Sequence, residues 1–199
     1  MIIPRGQLTS LKSDIVNIGF ASIENSINDA LFVALREEAL AQKSRARRAV
    51  DNGSVSYRGQ LADLGEVARA FLTSHPFAEF LRSIFAQRFI LSEESSCYTY
   101  YGTGDFLSPH RDVADDCLAT VLVYLEATSP DPNKLDTGLV LKIYEDGVGK
   151  PANLRHMIKT RNGLVVVGRG SAVWHGRPPL LAGEQVVVLT ACFSACALI

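Results

Sequence analysis

Two hydrophobic periods divide the chain. Up to residue 88 the apolar positions recur at helical spacing; from Phe89 onward they fall in short runs broken by Gly, Pro, Asp and Asn. In the front part, Ile27, Leu31, Ala34, Leu35, Ala39 and Leu40 line one helix face. Ser22 or Asn25 can cap that helix, and Asp51-Asn52-Gly53 signals a turn after it. Further helices are predicted from Leu61 to Leu72 and from Pro76 to Phe85, with a short apolar strand, Ile15 to Phe20, ahead of them all. In the back part the predicted strands are Cys97 to Tyr101, Leu107 to Asp112, Ala119 to Leu125, Gly138 to Tyr144, Leu164 to Val167, Ala172 to Arg177 and Gln185 to Phe193. Ser129 to Asn133 and most of Asp146 to Asn153 read as loops. Short strands with turns between them predict an all-β barrel or jelly roll, with the helices packed outside as a supporting layer. The expected class is α+β, in one domain: residues 1–88 as mainly helical support and 89–199 as the β core.

Composition narrows the function more than the fold. Hydrophobic residues make up 47% of the 199 and charged ones 21%, a globular balance. A net charge of -1 predicts neither nucleic acid nor an acidic membrane surface as partner. No apolar stretch reaches the roughly 20 residues of a membrane span. The start, Met-Ile-Ile-Pro-Arg-Gly, lacks the pattern of a secretory signal, so a soluble, cytoplasmic protein is expected. The basic run from Lys43 to Arg48 is explained by a solvated helix end. Cys97, Cys117, Cys192 and Cys196 form no CxxC pair, and they are expected to be reduced, buried and without function.

The chemistry concentrates in Tyr100-Tyr-Gly-Thr-Gly-Asp-Phe-Leu-Ser-Pro-His-Arg-Asp112. On a strand, side chains two apart share a face, so His110 and Asp112 point one way and Arg111 the other. His175 sits on another predicted strand near the C-terminal end. Two imidazoles and one carboxylate on one side of a metal leave positions open for small molecules, which suits Fe(II) chemistry better than a closed structural zinc site. His75, before Pro76, and His156, in a basic segment, read as surface or packing residues.

The segment resembles the 2-oxoglutarate and Fe(II)-dependent dioxygenases, nearest in pattern to the prolyl-hydroxylase-like branch. The pieces that carry the resemblance are Tyr100, Gly102-Thr-Gly104, His110-Arg-Asp112, Thr120-Val-Leu-Val-Tyr-Leu125, Gly138-Leu139 and Gly170-Ser-Ala-Val-Trp-His175. The resemblance covers residues 90–193 and implies a double-stranded β-helix core. It also implies Fe(II) held by His110, Asp112 and His175, with 2-oxoglutarate and O2 as co-reactants and hydroxylation or a related oxidation as the outcome. A small-molecule or amino-acid-like substrate is expected.

One position departs from that pattern. Family members place an Arg or Lys on the strand after the distal His, where it pairs with the far carboxylate of 2-oxoglutarate. Here the matching residue is Gln185, which carries no charge. Arg177, two residues past His175, and Lys142, on the Gly138 to Tyr144 strand, are the available cations, and Tyr100 matches a tyrosine that reaches the cosubstrate in this branch. Tyr98, Tyr124 and Trp174 read as core aromatics. Two other functions share these residues: an Fe(II) oxidase that needs no 2-oxoglutarate, and a non-catalytic cupin-like binding module.

Overall fold

The computed structural model describes residues 5–51, 55–131 and 137–196. In chain order its elements are α1 (Arg5–Asn17), β1 (Phe20–Ile23), α2 (Asp29–Gln42), a 3-10 turn (Lys43–Arg45), β2 (Arg47–Arg48), β3 (Tyr57–Arg58), β4 (Gln60–Asp63), α3 (Glu66–Leu72) and α4 (His75–Phe85). Then come β5 (Phe89–Tyr101), β6 (Phe106–His110), β7 (Ala119–Thr128), β8 (Val140–Asp146), β9 (Pro151–Lys159), β10 (Val165–Gly168), β11 (Trp174–Arg177) and β12 (Gln185–Ala195).

The strands form two sheets, one ordered β1-β10-β7-β12-β5-β4-β2 and the other β3-β6-β11-β8-β9. Every pairing among the described residues is antiparallel. The larger sheet is buried on both faces, and β7 shows why: Val121, Val123 and Leu125 pack under the helices, while Leu122 and Tyr124 pack between the sheets. The expected jelly roll with helices on one sheet is therefore what the chain forms. Among the described residues no helix is long and apolar enough to cross a membrane.

The front half departs from its helical expectation in ways that have local causes. Ile15 lies in a helix, not a strand: Leu8, Leu11 and Ile15 share a face against the other helices, and Gly19, at φ 93°, ends the turn by donating to the Ile15 carbonyl. Residues 61–63 are strand, because β4 adds to the edge of β5 and keeps that edge from lying open. Helix α3 starts only at Glu66, since the Glu38 carboxylate, reaching over from α2, accepts from the N–H groups of Val67 and Ala68. Asn28, rather than Ser22 or Asn25, caps α2 by accepting from the Leu31 N–H. Leu40, expected in the apolar face, is exposed.

The loop expected after Asp146 is shorter than its sequence suggests: residues 147–150 turn, and 151–153 already belong to β9, an outer edge paired only with β8 and so free to be polar. The basic run is a solvated 3-10 turn followed by edge strand β2, with Arg47 paired to Asp63. The turn at Asn52-Gly53 and the end of the loop at Pro132-Asn133 lie outside the described residues. Cys117 and Cys192 are not reduced thiols: they are joined as a disulfide.

Candidate metal centre

Strands β6 and β11 pair so that His175 stands directly opposite His110. The imidazole centroids are 4.4 Å apart. In each ring Nδ1 lies 3.0 Å from a backbone carbonyl two residues upstream, Ser108 for His110 and Val173 for His175. A carbonyl only accepts, so this contact assigns the proton to Nδ1 and leaves Nε2 with a lone pair, the form that binds metal. Both Nε2 atoms face Oδ1 of Asp112, at 3.2 Å from His110 and 3.7 Å from His175. Ligands at about 2.1 Å from a first-row ion, at right angles, stand about 3 Å from one another. The three side chains therefore fit a single metal.

Asp112 follows the end of β6 and is held by contacts outside that strand. Its N–H donates to the Gly170 carbonyl at 3.1 Å, and the Thr120 hydroxyl donates to Oδ2. Burial would raise its pKa; when the metal-free rings are protonated, the charge on His175 and the His110 Nε2–H, together with the Thr120 hydroxyl, outweigh this and hold it at about 2. Burial pushes the His175 pKa down, partly opposed by Asp112, which favours the neutral ring. Gly170 is needed at its position: a Cβ there would lie 1.8 Å from Asp112 Oδ2 and 2.2 Å from Thr120 Oγ1. Gly170→Ala should displace the carboxylate and weaken Fe(II) binding tenfold or more, with secondary structure retained by circular dichroism. An unchanged Fe(II) dissociation constant would show that the carboxylate can move aside freely.

The triad opens into a cavity of about 760 Å³ that runs between the sheets to Arg177. Arg177 is 5% exposed. Its Nη1 donates to the Gly138 carbonyl and its Nη2 to the Tyr124 hydroxyl, both at 3.0 Å. The guanidinium carbon lies 5.4 Å from the ring centroids of Tyr101 and of Tyr124. Among the described residues no carboxylate pairs with it. The Gly138 peptide is itself fixed, because its N–H donates at 2.9 Å to buried Glu184, which also accepts from Thr137 and from the Leu181 N–H. Burial pushes the Tyr101 hydroxyl up to about 12 and raises Tyr57 and Tyr124 as well, so these phenols line the cavity as neutral donors.

Neither a family model nor a curated protein matches the sequence. Solved structures do match. A prolyl-4-hydroxylase from Pseudomonas putida superposes with a TM-score of 0.69 at 18% identity, covering 96% of this chain and all of that one. The fold is that of the 2-oxoglutarate and iron(II)-dependent oxygenases. A prolyl hydroxylase from Trichoplax adhaerens, solved with a hypoxia-inducible-factor peptide, gives 0.70 at 16% identity and covers 97% of this chain and 94% of its own. HygX from Streptomyces hygroscopicus, solved with nickel, 2-oxoglutarate and hygromycin B, gives 0.66 at 14%, over 97% and 88%.

Within this oxygenase fold, strand parity sorts the remaining site residues predicted from sequence. Arg177 shares the cavity with His175, as their spacing predicts. Tyr100 does not reach it: its hydroxyl donates to the Ala39 carbonyl beneath the helices, and the neighbouring Tyr101 faces the cavity instead. Gln185 is exposed and lines a separate groove, because Val186 and Val188 take the inward positions of β12. Lys142 lies on the outer side of β8, where Leu141 and Ile143 point inward. Tyr124, expected as plain core, and Tyr57, not singled out at all, join Tyr101 around the Arg177 end. His75 and His156 are exposed, as expected.

Proposed function

We propose that this chain is an Fe(II) and 2-oxoglutarate-dependent oxygenase in which His110, Asp112 and His175 hold the iron and Arg177 grips the far carboxylate of the cosubstrate. The observation that carries the proposal is a buried guanidinium, without an anionic partner among the described residues, in the same cavity as the triad. Leaving an ion buried and uncompensated costs several kcal/mol, so such a site is built for an anion that arrives with a ligand. A guanidinium also offers two parallel donors that match a carboxylate. Iron with 2-oxoglutarate and O2 supplies the oxidising power for hydroxylation or a related oxidation.

The protein's own part is positioning. Glu184 fixes the Gly138 peptide, that peptide and Tyr124 fix Arg177, and Tyr101 offers a neutral hydroxyl and a π face beside it. Leu107, Leu122, Leu141 and Val188 keep the space between Arg177 and the triad apolar. The cavity volume suits 2-oxoglutarate together with a small molecule or an amino-acid side chain, the substrate class expected from the sequence. The solved relatives with a peptide and with hygromycin B bound are compatible with either form of substrate. A cytoplasmic location belongs to the same proposal. Purified protein given Fe(II), 2-oxoglutarate and O2 should release succinate, at a low rate without the primary substrate. Product formation with no 2-oxoglutarate consumed would replace this reading by that of a 2-oxoglutarate-independent oxidase.

A further inference from the structure

The disulfide lies against the metal centre. Cys117 precedes β7, and Cys192, on β12, pairs in register with Thr120, the residue that donates to the Asp112 carboxylate. Cys117 Sγ is 3.5 Å from Asp112 Oδ2 and 3.4 Å from Thr120 Oγ1. Asp112 and the two sulfurs present ligand atoms within 4.8 Å of one another, behind the carboxylate oxygen that faces the histidines. Both cysteines are buried, at 2% and 7% exposure, yet both line the cavity that holds His110, His175 and Arg177. A redox partner therefore has to meet these sulfurs through the cavity, and thiol chemistry follows access. In a reducing compartment a disulfide is usually transient, catalytic or redox-sensing rather than a permanent brace.

We infer that Cys117 and Cys192 are an internal two-electron reductant for the metal centre, and that their disulfide is the oxidised form of this pair. The inference rests on the Fe(II) and 2-oxoglutarate reading of the site. When cosubstrate and O2 react with no primary substrate in place, the dithiol takes the substrate's role. One 2-oxoglutarate and one O2 are consumed, and succinate and CO2 leave. Two S–H bonds break and one S–S bond forms; the remaining oxygen atom departs with the two hydrogens as water. The dithiol is oxidised by two electrons, which with the two from decarboxylation of the cosubstrate account for the full reduction of O2. The wall of the cavity is thereby spared from oxidation, and an external thiol entering the cavity resets the pair.

The test uses the full chain, reduced, desalted without oxygen and loaded with Fe(II). It receives 2-oxoglutarate and a measured pulse of O2 with no other substrate; succinate is quantified, and the thiols are mapped by alkylation and mass spectrometry. The expected result is about one succinate per Cys117–Cys192 bond formed, at least tenfold faster than in samples lacking 2-oxoglutarate or carrying His110→Ala. Cys97, half-buried in the same cavity wall, and exposed Cys196 should remain alkylatable. Succinate release with Cys117 and Cys192 still reduced overturns the inference and leaves the cofactor reading intact. Disulfide formation at the same rate without iron or 2-oxoglutarate also overturns it. Absence of succinate under every condition, including with an external thiol, overturns the cofactor reading and the inference with it.

Discussion

Replacing either His110 or His175 by Ala should lower Fe(II) affinity at least a hundredfold and abolish turnover. The two rings contribute directly opposed nitrogens on paired strands, so neither can compensate for the other. A hundredfold loss corresponds to about 2.7 kcal/mol, twice the value of a tenfold change. Loss of a ligand should exceed the 10- to 100-fold typical of groups that only orient ligands. The measurement is Fe(II) or Mn(II) binding by calorimetry, with exposed His75→Ala as the control that should bind like the parent. Full-stoichiometry binding with unchanged affinity in either ligand variant would show that the metal assignment is wrong. His175 also packs at 5.0 Å against Phe20, so a modest fall in Tm is expected for its variant and does not bear on the assignment.

The second large effect concerns Arg177. Arg177→Ala should raise the apparent constant for 2-oxoglutarate tenfold or more, about 1.4 kcal/mol or above, while Fe(II) binding persists. Arg177→Lys should recover only part of the loss, because an ammonium keeps the charge but not the paired donors. Lys142→Ala and Gln185→Ala should change the same constant less than twofold, since neither lines the cavity. An effect confined to Lys142 or Gln185 would return the cosubstrate to the position suggested by the family pattern. If the substrate constant moves in Arg177→Ala and the 2-oxoglutarate constant does not, the guanidinium holds the substrate.

The meeting of His110, Asp112 and His175 was legible in the sequence because it needs only the period of a strand and one distant histidine. His110 and Asp112 do converge, although β6 ends at His110 and the Gly170 and Thr120 contacts complete the placement. Arg177 was legible for the same reason, two residues from His175 on one strand. Tyr100 and Gln185 were not, because β5 and β12 are buried on both faces. An apolar pattern with no exposed side cannot say which parity faces the cavity, and a shift of one residue exchanges Tyr100 for Tyr101. The start of α3 depends on a carboxylate from another helix, and β9 is a polar edge, so neither leaves a local signature. The disulfide joins residues 75 apart in the chain, and only the pairing of β7 with β12 brings them together.

The joint claim that this cavity holds iron and 2-oxoglutarate is tested most directly by an anaerobic titration of the parent protein. Fe(II) is added to one equivalent, then 2-oxoglutarate, with the visible spectrum followed throughout. Chelation of the iron by the keto acid should produce a weak charge-transfer band that saturates at one equivalent of cosubstrate and bleaches when O2 is admitted, with succinate released. In Arg177→Ala the band should need at least tenfold more 2-oxoglutarate to saturate. A protein that binds one Fe(II) and develops no band at any 2-oxoglutarate concentration would contradict the account.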